Sequence, residues 1–282
     1  MKRLLILASV IFGMCVASTV LGVEKEKPDK GRNKNGATLY DIPPRMLIDM
    51  PTAGTFPRGQ YDIGVRLYPN GGAQASTNIG LSNRLLIGLS YGAEHALSNR
   101  SPVWNPDIEF NIKFRLVDEM ELFPAISIGF CSQGDGGWSR AYQRYQFKSR
   151  GFYAVVSRSV YLYKWSSGWH AGLNYSYENR IDKDNNVDFY GGFDATFDYN
   201  LAFMIEYDAA FNDDQGDKPA SLAKDSSVTN FSGKGRGYLN MSLKWLFTDK
   251  LELEVMFKDL LVNRRESSTF SREARITYID HF

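Results

Sequence analysis

The fold is decided at the end of the chain, in Ser271-Arg272-Glu273-Ala274-Arg275-Ile276-Thr277-Tyr278-Ile279-Asp280-His281-Phe282. Polar residues hold most odd positions, Ala274, Ile276, Tyr278 and Phe282 hold even ones, and the final residue is aromatic. Successive side chains of a strand point to opposite faces, so a period of two gives one apolar and one polar face. The same period runs back through the chain to Gly59. It marks Gln60 to Tyr68, Ala73 to Leu81, Leu85 to Ala93, Ile108 to Leu116, Met120 to Phe130, a strand within Gly151 to Lys164, Trp169 to Tyr177, Phe189 to Phe197, Leu201 to Phe211, Tyr238 to Leu246 and Leu251 to Leu260. With the terminal segment these make twelve strands. In the fourth, Ile108, Phe110, Ile112, Phe114 and Leu116 alternate with Glu109, Asn111, Lys113 and Arg115. Arg158 interrupts the apolar face of the sixth, and Pro124 falls inside the fifth, where it removes a ladder donor and marks a bulge.

Most of these segments have the roughly 9–11 residues with which a tilted strand crosses hydrocarbon. The links between them alternate in length. Ser82-Asn83-Arg84, Val117-Asp118-Glu119, 164–168, Asp198-Tyr199-Asn200 and 247–250 are tight turns, whereas 94–107, 131–150, 178–188, 212–237 and 261–270 are longer and polar. Outer-membrane barrels have short periplasmic turns and long outer loops. Only Pro69-Asn70-Gly71-Gly72 departs, being short where a long loop is due. A terminal strand closed by an aromatic residue resembles the assembly signal of bacterial outer-membrane barrels, carried here by Tyr278 and Phe282. The predicted fold is all-β: a transmembrane, antiparallel, up-and-down barrel of twelve strands over residues 59–282. An even count lets the first and last strands pair antiparallel and leaves no edge.

The beginning of the chain agrees. Lys2 and Arg3 precede an apolar run from Leu4 to Val16, and Val20-Leu21-Gly22 offers a cleavage site. Residues 1–22 therefore read as a secretory signal peptide that directs export to the bacterial outer membrane. Its loss leaves 31 basic against 32 acidic residues. Nucleic acid, which calls for a basic face, is not an expected partner. Cys131 is the lone cysteine left, so no intramolecular disulfide forms.

If the apolar faces meet lipid, the polar faces line the interior. The lumen-lining candidates are Arg66, Glu109, Lys113, Arg115, Glu206, Asp208, Lys244, Glu252, Glu254, Lys258 and Arg275, with Glu273 beside them. Both signs occur, and buried charges must be paired or hydrated. The interior is thus either a water-filled pore or a lattice of ion pairs.

Residues 23–58 form a periplasmic leader or mouth segment. Val23 to Asn35 is charged and flexible in composition, whereas Pro43, Pro44, Pro51 and Pro57 exclude a helix or strand from the remainder. This remainder either plugs the barrel mouth or simply leads into the first strand, the second reading being preferred. Within it, Pro51-Thr52-Ala53-Gly54-Thr55-Phe56-Pro57-Arg58-Gly59 resembles the segment that leads into the first strand of the YjbH-like outer-membrane proteins, a family associated with exopolysaccharide production and export. The resemblance implies a barrel with a place in glycan export. Members of that family are typically much longer, and they supply no catalytic residues.

Chemical motifs are sparse. His95, His170 and His281 lack metal-ligand spacing, and no metal or cofactor is expected. His95 with Glu94, or His170 with Ser167, is the nearest approach to a barrel hydrolase. Gly134-Asp135-Gly136-Gly137 reads as a turn. Asp182-Lys183-Asp184-Asn185-Asn186 begins like a calcium loop but has Val187 and Phe193 at the positions of the required Gly and Glu, and so reads as a solvated loop. Asn212-Asp213-Asp214-Gln215-Gly216-Asp217 reads likewise, with weak binding of a divalent cation, or a cation bridge to lipopolysaccharide, as its alternative. The expected function is a narrow channel or export component for exopolysaccharide or other small polar solutes, not an enzyme. A structural, envelope-maintenance barrel with a filled lumen is the alternative, and a barrel hydrolase comes third. Expected partners are outer-membrane lipid and lipopolysaccharide, the barrel-assembly machinery and an envelope export complex.

Overall fold

The computed structural model describes residues 44–162, 165–197, 200–214, 219, 221–222 and 230–282. The expected signal peptide, and the leader as far as residue 43, lie outside them. The strands are β1 (Gln60–Tyr68), β2 (Gly72–Ser82), β3 (Leu85–Glu94), β4 (Val103–Trp104), β5 (Glu109–Val117), β6 (Ala125–Cys131), β7 (Asp135–Ser139), β8 (Arg144–Phe147), β9 (Gly151–Leu162), β10 (Trp165–Tyr175), β11 (Asp188–Phe197), β12 (Leu201–Asp208), β13 (Tyr238–Thr248), β14 (Leu251–Lys258) and β15 (Ser271–His281).

Twelve of these, β1 to β3, β5, β6 and β9 to β15, pair antiparallel in one sheet. β1 pairs with β2 on one side and with β15 on the other, so the sheet closes on itself. Across that seam Tyr61 stands opposite Asp280 and Leu67 opposite Ala274. The barrel is therefore twelve-stranded and antiparallel, and the described short links after β2, β5 and β13 lie at one end together with Gly59 and Phe282, while the short link at Pro69 lies at the other. No helix among the described residues is long and apolar enough to cross a membrane, which says nothing of spanning strands.

The wall has an apolar outside and a charged inside, as the period of two dictates. Ile63, Val65, Leu89, Phe110, Ile112, Phe114, Leu243, Val255 and Ile276 are exposed outward. Lys113, next to Ile112, is buried, as is Glu206 on β12 opposite the outward, half-buried Phe203. Outward aromatics form two belts. Tyr61, Trp245, Phe247, Tyr278 and Phe282 lie near the short-turn end. Tyr91 stacked on Trp104, Phe130 with Phe152 and Tyr177, and Phe257 with Phe270 lie near the long-loop end. A band between two aromatic girdles is the outer face expected of a barrel in a bilayer.

Several element limits differ from the sequence reading, each for a physical reason. β6 begins at Ala125, immediately after Pro124, so the proline sits in the turn, and the irregularity of this strand pair falls on β5 between Arg115 and Val117. Arg158 leaves the apolar pattern because it caps that turn, donating to Met120 O at 2.6 Å and Phe123 O at 3.2 Å. β10 starts at Trp165, four residues early. β12 stops at Asp208, whose carboxylate takes the Ala210 N–H at 2.8 Å and turns the chain, so Ala209 and Phe211 are not strand residues. The short link at Pro69 is covered by the following long loop, through Leu97 N–H to Gly71 O and Asn70 Nδ2 to Glu94 Oε1.

The interior is filled from both ends. From the short-turn end, residues 44–58 run into the lumen rather than straight into β1. From the long-loop end, the 131–150 loop is no open solvated excursion. It folds inward as the β7–β8 hairpin, with Tyr145, Phe147 and Arg144 buried.

Candidate functional site: the occupied lumen

Four prolines deprive the 43–57 stretch of donors, so its remaining polar groups must be satisfied by the wall. A tight turn closes at the Met46–Pro51 bridge, with Leu47 N–H on Met50 O at 2.8 Å. The turn points the N–H groups of Ile48, Asp49 and Met50 at one carboxylate, Glu206, at 2.9, 3.0 and 3.1 Å. Successive N–H groups converging in this way form a concave anion site. Asn240 Nδ2 adds a fourth donor at 2.7 Å, so the buried Glu206 is held by four N–H donors. The segment's carbonyls face the wall's donors: Arg275 Nη2 reaches Ile48 O at 2.7 Å, Tyr190 Oη reaches Pro51 O, and Arg115 Nε and Ser127 Oγ share Ala53 O. Lys113 Nζ donates to Arg45 O at 2.6 Å and to Gly54 O at 3.1 Å.

Apolar contacts complete the fit. Leu47 and Ile48 pack with Met204 and Met256, Met50 and Ala53 with Tyr153, Val155 and Tyr190, and Phe56 with Leu86 and Ile279. Gly192 makes the approach of Leu47 possible, since a Cβ there would stand 2.7 Å from Leu47 Cδ1.

The two inserts meet at Arg66 on β1. Its guanidinium bonds Glu273 of β15 through Nε at 2.6 Å, Asp135 of the hairpin through Nη1 at 2.6 Å, and Asp49 of the segment through Nη2 at 2.8 Å. Lys258 joins from β14, 2.6 Å from Asp49 and over the Phe147 ring at 4.2 Å. Asp135, in the glycine-rich stretch read as a plain turn, is thus a lumen residue. The remaining candidates lie on the inner face too. Glu109 accepts from Tyr145 Oη at 2.8 Å, Asp208 pairs with Arg150 at 2.9 Å, Glu254 with Arg275 at 3.3 Å, and Glu252 with Lys244 at 3.7 Å. Asp49, Arg144, Lys148 and Arg150 are lumen or mouth charges that alternation alone did not single out, because they lie in inserts rather than strands.

The stretches weighed as cation loops are closed by the protein's own cations. Asp182 takes Arg144 at 3.2 Å and Lys148 at 2.9 Å, and Asp213 takes Arg144 at 2.9 Å and the Tyr238 hydroxyl. Residues 215–217 of the second stretch lie outside the described residues. Nearby, Glu178 accepts the N–H groups of Ser149 at 2.6 Å and Tyr145 at 3.2 Å, and burial pushes its carboxyl up to about 7 against those bonds. No group of three or more potential metal ligands occurs among the described residues.

Neither hydrolase pairing forms. His95 bonds Asn70 O, and His170 turns away from Ser167 to sit between Ser157 Oγ at 2.7 Å and Asp194 Oδ1 at 2.8 Å. The order Ser–His–Asp is present, but Ser157 Oγ is covered by the Ala53 N–H at 2.8 Å. The three residues do not line the lumen cavity described next, so the trio anchors the segment.

A cavity of about 130 Å³ remains beside the segment, against β1, β2, β3, β5 and β13 to β15. Its lining includes Arg45, Asp62, Ser76, Asn78, Asn111, Lys113, Lys244, Glu252, Arg275 and Thr277.

No family model and no curated protein matches the chain. Among solved structures it is similar to a KdgM porin (9% identity, 79% of this chain and 99% of that chain, TM-score 0.44). It is also similar to a NanC porin (8%, 79% and 99%, 0.41) and to the Acinetobacter baumannii outer membrane protein Omp33 (7%, 79% and 98%, 0.40). At these identities and scores the likenesses speak to neither solute nor mechanism, and the barrel rests on its own strand pairing.

Proposed function

We propose that the chain is a narrow, weakly selective channel for small polar solutes in a bacterial outer membrane, with passage running beside the 44–58 segment. One observation carries this: a hydrated-sized cavity of about 130 Å³, lined by charges and amides, persists within a barrel that two inserts enter from opposite ends. An apolar or fully packed interior would offer no such path. The likeness of Pro51 to Gly59 to the YjbH-like proteins adds glycan export as a setting. Lipopolysaccharide, the barrel-assembly machinery acting on the strand that ends at Phe282, and an export complex are then the proposed partners. The reading is of a non-enzymatic protein.

The three-way bonding of Arg66 favours a second reading, a structural barrel whose inserts are fixed in place. Planar-bilayer recording separates the two. Folded protein, recognised by outer-membrane fractionation and a heat-dependent gel shift, is expected to give small conductance steps whose selectivity changes when Glu252 and Glu254 are neutralised. Silence of a folded sample would leave the structural barrel, and turnover of lipid or peptide would remove both readings.

A further inference from the structure

We infer that the lumen cavity is a binding site for a small hydroxylated carboxylate, held between Lys113 and Lys244. The inference deepens the channel reading and rests on it only for the idea that a solute passes. Its chemistry comes from an imbalance in the cavity wall. Six lysine or arginine side chains and four carboxylates line it, and four of the six cations are matched by a carboxylate at 3.3 Å or closer: Arg45 by Asp62, Arg66 by Glu273, Arg150 by Asp208 and Arg275 by Glu254. Three of the four carboxylates are engaged at short range: Asp49 with Lys258 and Arg66, Asp135 with Arg66, and Asp62 with Arg45 at 2.6 Å.

The two cations left without a close carboxylate are ammonium groups. Lys113 is 2% exposed and donates only to two backbone carbonyls, with no carboxylate within 4.0 Å among the described residues. An ammonium has three donors, so one remains, and a buried charge without a counter-charge is costly until one arrives. Lys244 Nζ makes no hydrogen bond among the described residues, and its nearest carboxylate, Glu252, stands at 3.7 Å. Both lysines line the same cavity, as do Ser76, Asn78, Asn111 and Thr277, which suit hydroxyl groups. Size limits the ligand: an apolar cavity of about 150 Å³ accepts benzene, so this one takes a carboxylate of about six heavy atoms.

The test uses the full chain, refolded and checked by its heat-dependent gel shift, in equilibrium dialysis against labelled lactate at low chloride. Saturable lactate binding is expected, with none for glycerol. Lys113→Gln and Lys244→Gln should each weaken it about tenfold, the scale of one hydrogen bond to a charged group, and Glu252→Gln should tighten it. The Lys244 side chain has no hydrogen bond to lose, so its variant keeps the test decisive if the Lys113 variant misfolds. No saturable binding, binding unchanged by Lys244→Gln, or displacement by equimolar chloride would overturn the inference. Lactate bound by a barrel that never conducts would sink the channel reading and support the site. Conductance without lactate binding would do the reverse.

Discussion

The two inserts that fill this barrel are gripped in opposite ways. Residues 44–58 are held mainly through their backbone, with three N–H groups on Glu206 and carbonyls on Lys113, Arg115, Ser127, Tyr190 and Arg275. The 131–150 insert is held mainly through its side chains, with Asp135 on Arg66, Arg144 and Lys148 on Asp182, and Arg150 on Asp208. A proline-rich strand breaker has unpaired peptide groups to satisfy, so the wall supplies donors and acceptors. A hairpin pairs its own backbone, so only its charges remain to be matched. The first insert should therefore respond to loss of a wall residue, and the second to the ionisation of its surroundings.

The largest expected effect erases this difference, because Arg66 serves both inserts. Arg66→Met takes the closest cation from Asp135 and Glu273 and leaves Asp49 with Lys258 alone, and removing one partner of a buried ion pair costs about 3–5 kcal/mol. Urea unfolding in micelles should show that loss, with amide exchange rising in both inserts. Exchange rising in one alone would mean that the two are not coupled. Next in size, Glu206→Ala leaves three segment N–H groups without an acceptor, about 3 kcal/mol given the usual penalty for buried donors. Exchange should rise at Ile48 to Met50 and conductance should grow, while the hairpin stays protected. The smallest effect concerns pH. Burial pushes the Glu178 carboxyl up to about 7 in the folded protein against 4.5 ordinarily, so the folded state binds the extra proton. Its contribution is fully present below about 4.5 and is lost as pH rises through about 7. Hairpin exchange should accelerate over that window and segment exchange should not, and Glu178→Gln should abolish the difference. Acceleration on acidification instead would reverse the assignment.

Legibility in the sequence follows the same division. The wall could be read residue by residue because it obeys a two-residue period imposed by the lipid outside and the charges within. Gln60–Tyr68 is found at its expected limits. Glu109, Lys113 and Glu206 declare their facing by alternation with Phe110, Ile112 and Tyr207. Local chemistry blurred the ends: Pro124 closes the turn before a strand, and Asp208 ends one early. The inserts have no period. Nothing in Ile48-Asp49-Met50 announces that its amides converge on a glutamate 156 to 158 residues away, and Asp135 sits in a glycine run that reads as a turn. Pro51 and Pro57 excluded regular structure correctly, but exclusion does not tell where a segment goes. The trio of Ser157, His170 and Asp194 was hidden for a related reason. It depends on register, Ser157 facing His170 across β9 and β10, rather than on spacing along the chain.

Arg66 and Glu273 lie on the two strands that meet last in sequence, β1 and β15, and their 2.6 Å bond spans the join between them. Bringing these strands together spans nearly the whole barrel sequence, a step whose entropy cost grows slowly with length but whose rate suffers. Asp49 and Asp135 bind the same guanidinium, so the inserts behave as tethered ligands of the zipped form and shift the open-to-closed equilibrium as any ligand of one state does. A sheet stalled before zipping would present β1 and β15 as bare edges, templates for other chains. Loading the interior and shutting the wall are thus thermodynamically one assembly step, with a single arginine as its latch.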